Sequence, residues 1–218
     1  MNKKVIIFVT AMVLVLAMAT GATFAYLFST GNTVQNVFKP TYIGDPAVTE
    51  TKNDFTVVPG VAIPKDPTVK YTRDTNSTRV ATIVLYATID VKGSTWSYAS
   101  NKFTFTNSGN TLDFTVNTTN WQYIGKAASG KYVYSYVKVL SGTADSAAFE
   151  VISGNVVNVS TGWTESQIQS VFRAGGVQIN VGSFVAQAKP TATGAANTAV
   201  SVANAKTIWN NCAGDAIP

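Results

Sequence analysis

The sequence predicts a mainly β protein: a jelly-roll-like β-sandwich with two short decorating α-helices, preceded by a hydrophobic signal-peptide helix. Three observations predict it. Of 218 residues, 46% are hydrophobic and only 12% charged, so polarity comes from Thr, Ser, Asn and Gly, a composition suited to sheets with one wet face. Apolar and polar residues alternate over short runs separated by turn-forming clusters, the period of half-buried strands. Strands of this spacing, with no internal repeat, suggest a jelly-roll-like sandwich.

The N-terminus reads as an export signal. Lys3 and Lys4 form a short basic region, and Val5 to Ala25 is an uncharged stretch of 21 residues. That length can span a bilayer, so a retained anchor is the alternative. Gly21 breaks the stretch, small residues Thr23 and Ala25 stand at −3 and −1 of a cleavage point before Tyr26, and no basic stop-transfer cluster follows, which favours cleavage. The expected organisation is residues 1–25 as signal peptide, 26–50 as an extended, donor-strand-like segment, and 51–218 as the sandwich domain.

Val57 to Pro67 carries Pro59, Pro64 and Pro67. Each removes a ladder N–H, so an edge segment or a crossover is expected and a central strand excluded. Ala81 to Val91 is the clearest strand, with Ala81, Ile83, Leu85, Ala87, Ile89 and Val91 on one face and Val84 out of pattern on the other. Lys102 to Thr106 and Thr111 to Asn117 flank Asn107-Ser108-Gly109-Asn110 and predict a hairpin, with Phe103 and Phe105 facing Leu112, Phe114 and Val116. Lys131 to Leu140 alternates Tyr132, Tyr134 and Tyr136 with Val133, Val137 and Val139, and its tyrosine face is expected to be half-wet. Phe149 to Ile152 and Val156 to Val159 are shorter strands around Ser153-Gly154-Asn155.

Thr164 and Gln167 have capping-box spacing, followed by an apolar stripe of Ile168, Val171 and Phe172 and a stop at Gly175-Gly176, so a helix is expected there. Val177 to Ala188 returns to strand, with a phase change at Gly182-Ser183 that predicts a bulge. Asn197 to Trp209 predicts an alanine-rich helix packed on the sheet through Val202, Ala205 and Trp209. It lacks the basic face of a membrane-surface helix.

Composition excludes more chemistry than it offers. With no histidine there is no Ser-His-Asp triad, Cys-His pair or HExxH zinc site. Asp90 and Asp113 fall on separate strands and Asp66 and Asp74 in loops, so no glycosidase-like carboxylate pair is specified. No calcium loop of the DxDxDG kind occurs. The net charge of +5 comes from scattered Lys and Arg, which gives no nucleic-acid footprint. The single Cys212 has no intramolecular partner; it is read as an incidental thiol, with a disulfide-linked dimer the minority reading. Neither a cofactor nor a metal is expected, and the protein is read as a non-enzyme.

Several motifs together resemble the TasA/camelysin family. They are Ala25-Tyr26-Leu27-Phe28-Ser29-Thr30 with Asn36-Val37-Phe38; Pro59-Gly60, Ile63 and Lys65-Asp66-Pro67-Thr68-Val69; and Val177-Gln178-Ile179-Asn180-Val181, Ala186-Gln187-Ala188 and Trp209 near the end. The resemblance implies a jelly-roll sandwich processed by a SipW-type signal peptidase and secreted to the cell surface or biofilm matrix of a Gram-positive-type bacterium, where some members polymerise into fibres. Matrix or cell-wall components are then possible partners, with no membrane association after cleavage. The chain departs from the family where Ser29-Thr30-Gly31-Asn32-Thr33 replaces an acidic run. It also departs from the camelysin peptidase label, since it has no histidine and only Glu50, Glu150 and Glu165 as glutamates.

Two functional readings follow. In the first, a structural subunit assembles through its freed N-terminal segment, whose Tyr26, Leu27, Phe28, Val34, Val37 and Phe38 are apolar and can complete a neighbour's sheet edge. Because a head-to-tail contact of this kind does not close, it builds a filament. The alternative is a monomeric, adhesin-like module stacking glycans on Trp96, Tyr98, Trp121 and Tyr123, with core packing the commoner use of such aromatics.

Overall fold

The computed structural model describes residues 46–51, 55–72, 82–93, 95–138, 140–141, 147–173, 176–188 and 200–218. The expected signal peptide, the expected cleavage residues Thr23, Ala25 and Tyr26, and the segment from Tyr26 to Phe38 lie outside the described residues.

The fold is mainly β with two helices. Its strands are β1 (Pro46–Thr49), β2 (Ile63–Pro64), β3 (Thr68–Tyr71), β4 (Thr82–Lys92), β5 (Trp96–Ala99), β6 (Lys102–Asn107), β7 (Asn110–Thr115), β8 (Trp121–Lys126), β9 (Tyr132–Tyr136), β10 (Leu140–Ser141), β11 (Ala147–Glu150), β12 (Val156–Val159) and β13 (Gln178–Gln187). Helix α1 spans Glu165–Phe172 and α2 spans Val202–Cys212. All strand pairs are antiparallel. In one sheet β4 is flanked by β13 on one side and by β9 and β10 on the other, with β8 beyond β9; a second runs β2-β12-β7-β6-β5, and a third β1-β3-β11. Pro46–Thr49, at the end of the 26–50 segment, thus forms a strand of the folded body, paired with β3.

Local chemistry sets several elements. Asn107 pairs with Asn110, leaving Ser108 (φ 49°) and Gly109 (φ 81°) as a two-residue turn between β6 and β7. Two consecutive positive φ values match the twist of a hairpin. Phe103 opposes Phe114 and Phe105 opposes Leu112, with the Phe103 and Phe114 rings stacked at 4.9 Å. Thr164 caps α1 in a complete capping box with Gln167, which satisfies otherwise orphaned backbone donors. The proline-bearing stretch contributes only β2, at the sheet edge beside β12, where a missing N–H costs least.

One core cluster gathers Ile83, Leu85, Ala87 and Ile89 of β4 and Trp121 and Tyr134 of the same sheet with Phe103, Phe105, Leu112, Phe114, Val157 and others from the facing sheets. A second lies under α2: Val84, Tyr86, Ile124, Val133, Ala186, Ala205, Trp209 and Ile217. This second cluster explains Val84, the out-of-pattern residue, because β4 buries both of its faces.

Three expectations are corrected. The β9 tyrosine face is not half-wet along its length: Tyr134 is fully buried and Tyr136 is 9% exposed, while Tyr132 is partly buried, because this face turns into the main core, where Tyr136 packs on Phe149 and the Tyr134 hydroxyl meets Tyr98. No bulge interrupts β13, whose register runs unbroken from Gln178 opposite Lys92 to Gln187 opposite Ile83. The apparent phase change marks where α2 begins to cover the outer face, so that Ala186 and Ala188 are buried and Phe184 packs beside them. The register shift falls instead between Tyr123 and Gly125. There Gly125 holds φ 147° and a Cβ would come within 2.3 Å of the Ile217 side chain. Finally, α2 buries Ala205 and Trp209 as expected, but Val202 sits 47% exposed in its first turn.

Candidate functional site

The aromatic residues proposed for glycan stacking do not form an open platform. Trp121 is fully buried and donates its indole N–H to the Glu150 carbonyl at 2.8 Å, so it presents no ring face to a ligand. Trp96 packs against Phe105 and Phe114, with ring centres 5.6 and 6.0 Å away. Tyr98 and Tyr123 are brought together at 5.1 Å, but Tyr98 also packs on Phe103 and Tyr132. The Tyr134 hydroxyl donates to the Tyr98 hydroxyl at 3.0 Å, which donates in turn to Asn101 Oδ1. Burial pushes the Tyr98, Tyr123 and Tyr134 hydroxyls above the ordinary tyrosine range. They stay protonated and serve the packing between sheets.

The carboxylates are not gathered for chemistry either. Asp113 accepts from Asn158 Nδ2 at 3.1 Å and pairs with Lys102 at 3.2 Å. Asp66 accepts from the Thr51 backbone and hydroxyl, bonds that hold its carboxyl below the usual aspartate range. Asp74 lies outside the described residues. Among the described residues no group of three or more His, Cys, Asp and Glu side chains could hold a metal ion. Cys212 is exposed near the end of α2.

What the fold does present is a long sheet edge. β13 pairs with β4 along its full ten residues and, among the described residues, has no second strand partner. Its sequence, QINVGSFVAQ, contains neither a charged residue nor a proline, and those are the usual devices that stop a sheet edge from recruiting another strand. Ile179, Val181 and Val185 are only partly buried where they pack against the main core, as are Val48 of β1 and Val57. β1 lies beside β13 without pairing with it, so an apolar band at the margin of the core accompanies a backbone ladder that no second described strand pairs.

Other edges differ. β5, at the end of its sheet, is only four residues long. Near β8 the chain covers itself: the Ala128 N–H donates to the Ala216 carbonyl at 2.9 Å, the Ser129 backbone and hydroxyl donate to Asp215, and Ile217 packs against Gly125. The β13 edge was missed when the sequence was read as strands without neighbours. A signal was present all the same, since ten strand residues with no charge and no proline are rarely left at an edge. The chain matches no protein-family model, no curated protein and no solved structure.

Proposed function

We propose that this protein is a secreted structural subunit of cell-surface or biofilm-matrix fibres, assembled by β-strand addition of its N-terminal segment to a neighbour. The observation that carries this reading is the β13 edge: ten residues, unprotected by charge or proline and without a second strand partner among the described residues. An added strand there gains a backbone ladder and covers the half-buried side chains of Ile179, Val181 and Val185. The segment from Tyr26 to Phe38 offers a matching apolar set in Tyr26, Leu27, Phe28, Val34, Val37 and Phe38. The export signal and the resemblance to the TasA/camelysin family support the location, and the absence of histidine argues against a peptidase role.

A synthetic peptide of residues 26–38, added to protein lacking those residues, tests the contact. The peptide binds the truncated protein, and Val181→Lys, which puts a charge on the proposed acceptor strand, weakens binding at least tenfold. Equal binding to both proteins would place the acceptor elsewhere.

A further inference from the structure

β1 is lightly held. It stands at the end of the β1-β3-β11 sheet, and its ladder with β3 covers only Pro46 to Thr49. Ala47 and Thr49 are exposed, and Val48 is only partly buried against the main core. A short edge ladder with little buried apolar surface belongs to the least stable part of a fold.

This strand also stands in the way of β13. The two lie side by side without pairing, and their Cα atoms come within 8 Å of each other. A strand laid between them needs about 4.8 Å on each side, or roughly 9.6 Å in all. Where β1 runs, the space is too narrow to admit one.

Just beyond the ladder, two successive residues pin β1 in place. Glu50 Oε1 lies 2.7 Å from Lys65 Nζ, in a pair whose side chains are only 20% and 10% exposed, and the same ammonium lies 5.3 Å from the Phe55 ring centre. The Thr51 N–H donates to Asp66 Oδ1 at 2.9 Å, and the Thr51 hydroxyl donates to the other oxygen of that carboxylate. Glu50-Thr51 thus grips Lys65-Asp66, the residues that follow β2. Moving β1 away breaks both contacts and leaves Lys65, 8% exposed, without its counter-ion, a costly state for a buried charge.

We propose that β1 is a gate on the β13 edge, kept shut by the Glu50–Lys65 and Thr51–Asp66 contacts, and that a neighbour's strand adds along the whole of β13 only when β1 swings aside. The gate rests on the fibre reading and supplies its regulation. The edge's affinity for an added strand is reduced by the fraction of molecules in which β1 is displaced. A tighter latch therefore raises the protein concentration that assembly needs.

A reversible lock tests the gate. Ala47 and Lys70 are opposed and both exposed, and such cross-strand positions hold their Cβ atoms about 4.5–5.5 Å apart, close enough for a disulfide. Ala47→Cys with Lys70→Cys is made in the full chain beginning at Tyr26, with the single cysteine removed by Cys212→Ser. Light scattering and negative-stain microscopy should show filaments from the reduced protein and none from the oxidised one. Filaments from both forms alike would overturn the gate and leave the fibre reading standing. No filaments from either form or from the Cys212→Ser parent would overturn the fibre reading and the gate with it. Thr49→Cys with Thr68→Cys, also opposed, stands in should the first pair fail to assemble when reduced although the parent assembles. Glu50→Gln with Thr51→Ala, which loosens both pins, should lower the critical concentration for assembly about fivefold. An unchanged critical concentration would overturn the latch.

Discussion

The Tyr134 hydroxyl donates to the Tyr98 hydroxyl at 3.0 Å, and this bond runs between sheets: Tyr134 belongs to β9, beside β4, and Tyr98 to β5, at the end of the facing sheet. The two partners are not equivalent. Tyr98 also donates to Asn101, whereas Tyr134 is fully buried. Tyr134→Phe therefore leaves Tyr98 with a partner and costs about 1 kcal/mol, while Tyr98→Phe strands a buried donor and costs about 1–3 kcal/mol. Urea unfolding of both variants checks the order, with the midpoint falling further for Tyr98→Phe at unchanged slope.

Alkaline pH bears on the same buried phenols. Desolvation raises the Tyr86 and Tyr134 hydroxyls well above the ordinary value of 10.0. A group whose folded pKa is raised contributes stability in full below its unfolded pKa and loses it as pH climbs toward the folded one. Stability contributed by these two tyrosines therefore holds below about pH 10 and declines above it, where the unfolded chain alone ionises. Circular dichroism and tyrosinate absorbance followed together should show part of the phenolate signal appearing only with unfolding. A smooth titration of every tyrosine in the folded protein would contradict this.

Trp209 holds α2 in place. Its ring lies 5.4 Å from both Tyr86 and Phe184, and its indole N–H donates to the Asp215 carbonyl. Trp209→Ala removes the centre of the second core and costs about 3–5 kcal/mol. Val202→Ala, seven residues earlier and 47% exposed, stays within about 0.5 kcal/mol of wild type. Thermal melts of the pair distinguish this packing from the stripe read in the sequence.

Legibility followed the range of the interactions. The Ser108-Gly109 turn and the Thr164–Gln167 capping box were readable because each is decided by residues within one turn of chain. The burial of the β9 tyrosines and the straight run of β13 were not, because the first depends on the strands facing them across the main core and the second on α2 lying over the outer face of the sheet, contacts made by residues far along the chain. A strand buried on both faces loses the alternation by which strands are recognised. The choice between core packing and ligand stacking at Trp121 was open in the sequence for the same reason: an aromatic residue on a strand gives no local sign of which face is closed, and its partner, the Glu150 carbonyl, lies 29 positions away. The edge position of β13 depends on strand order, which alternation does not encode, and the Glu50–Lys65 pair joins positions 15 apart.

The central claim is assembly through the N-terminal segment, and negative-stain microscopy with light scattering tests it most directly. Protein beginning at Tyr26 is compared with protein from which Tyr26 to Phe38 has been deleted. The account predicts filaments from the first and a β-rich, non-polymerising fold from the second. Filaments forming from the deletion variant, or a stable monomer from the chain beginning at Tyr26, would contradict it.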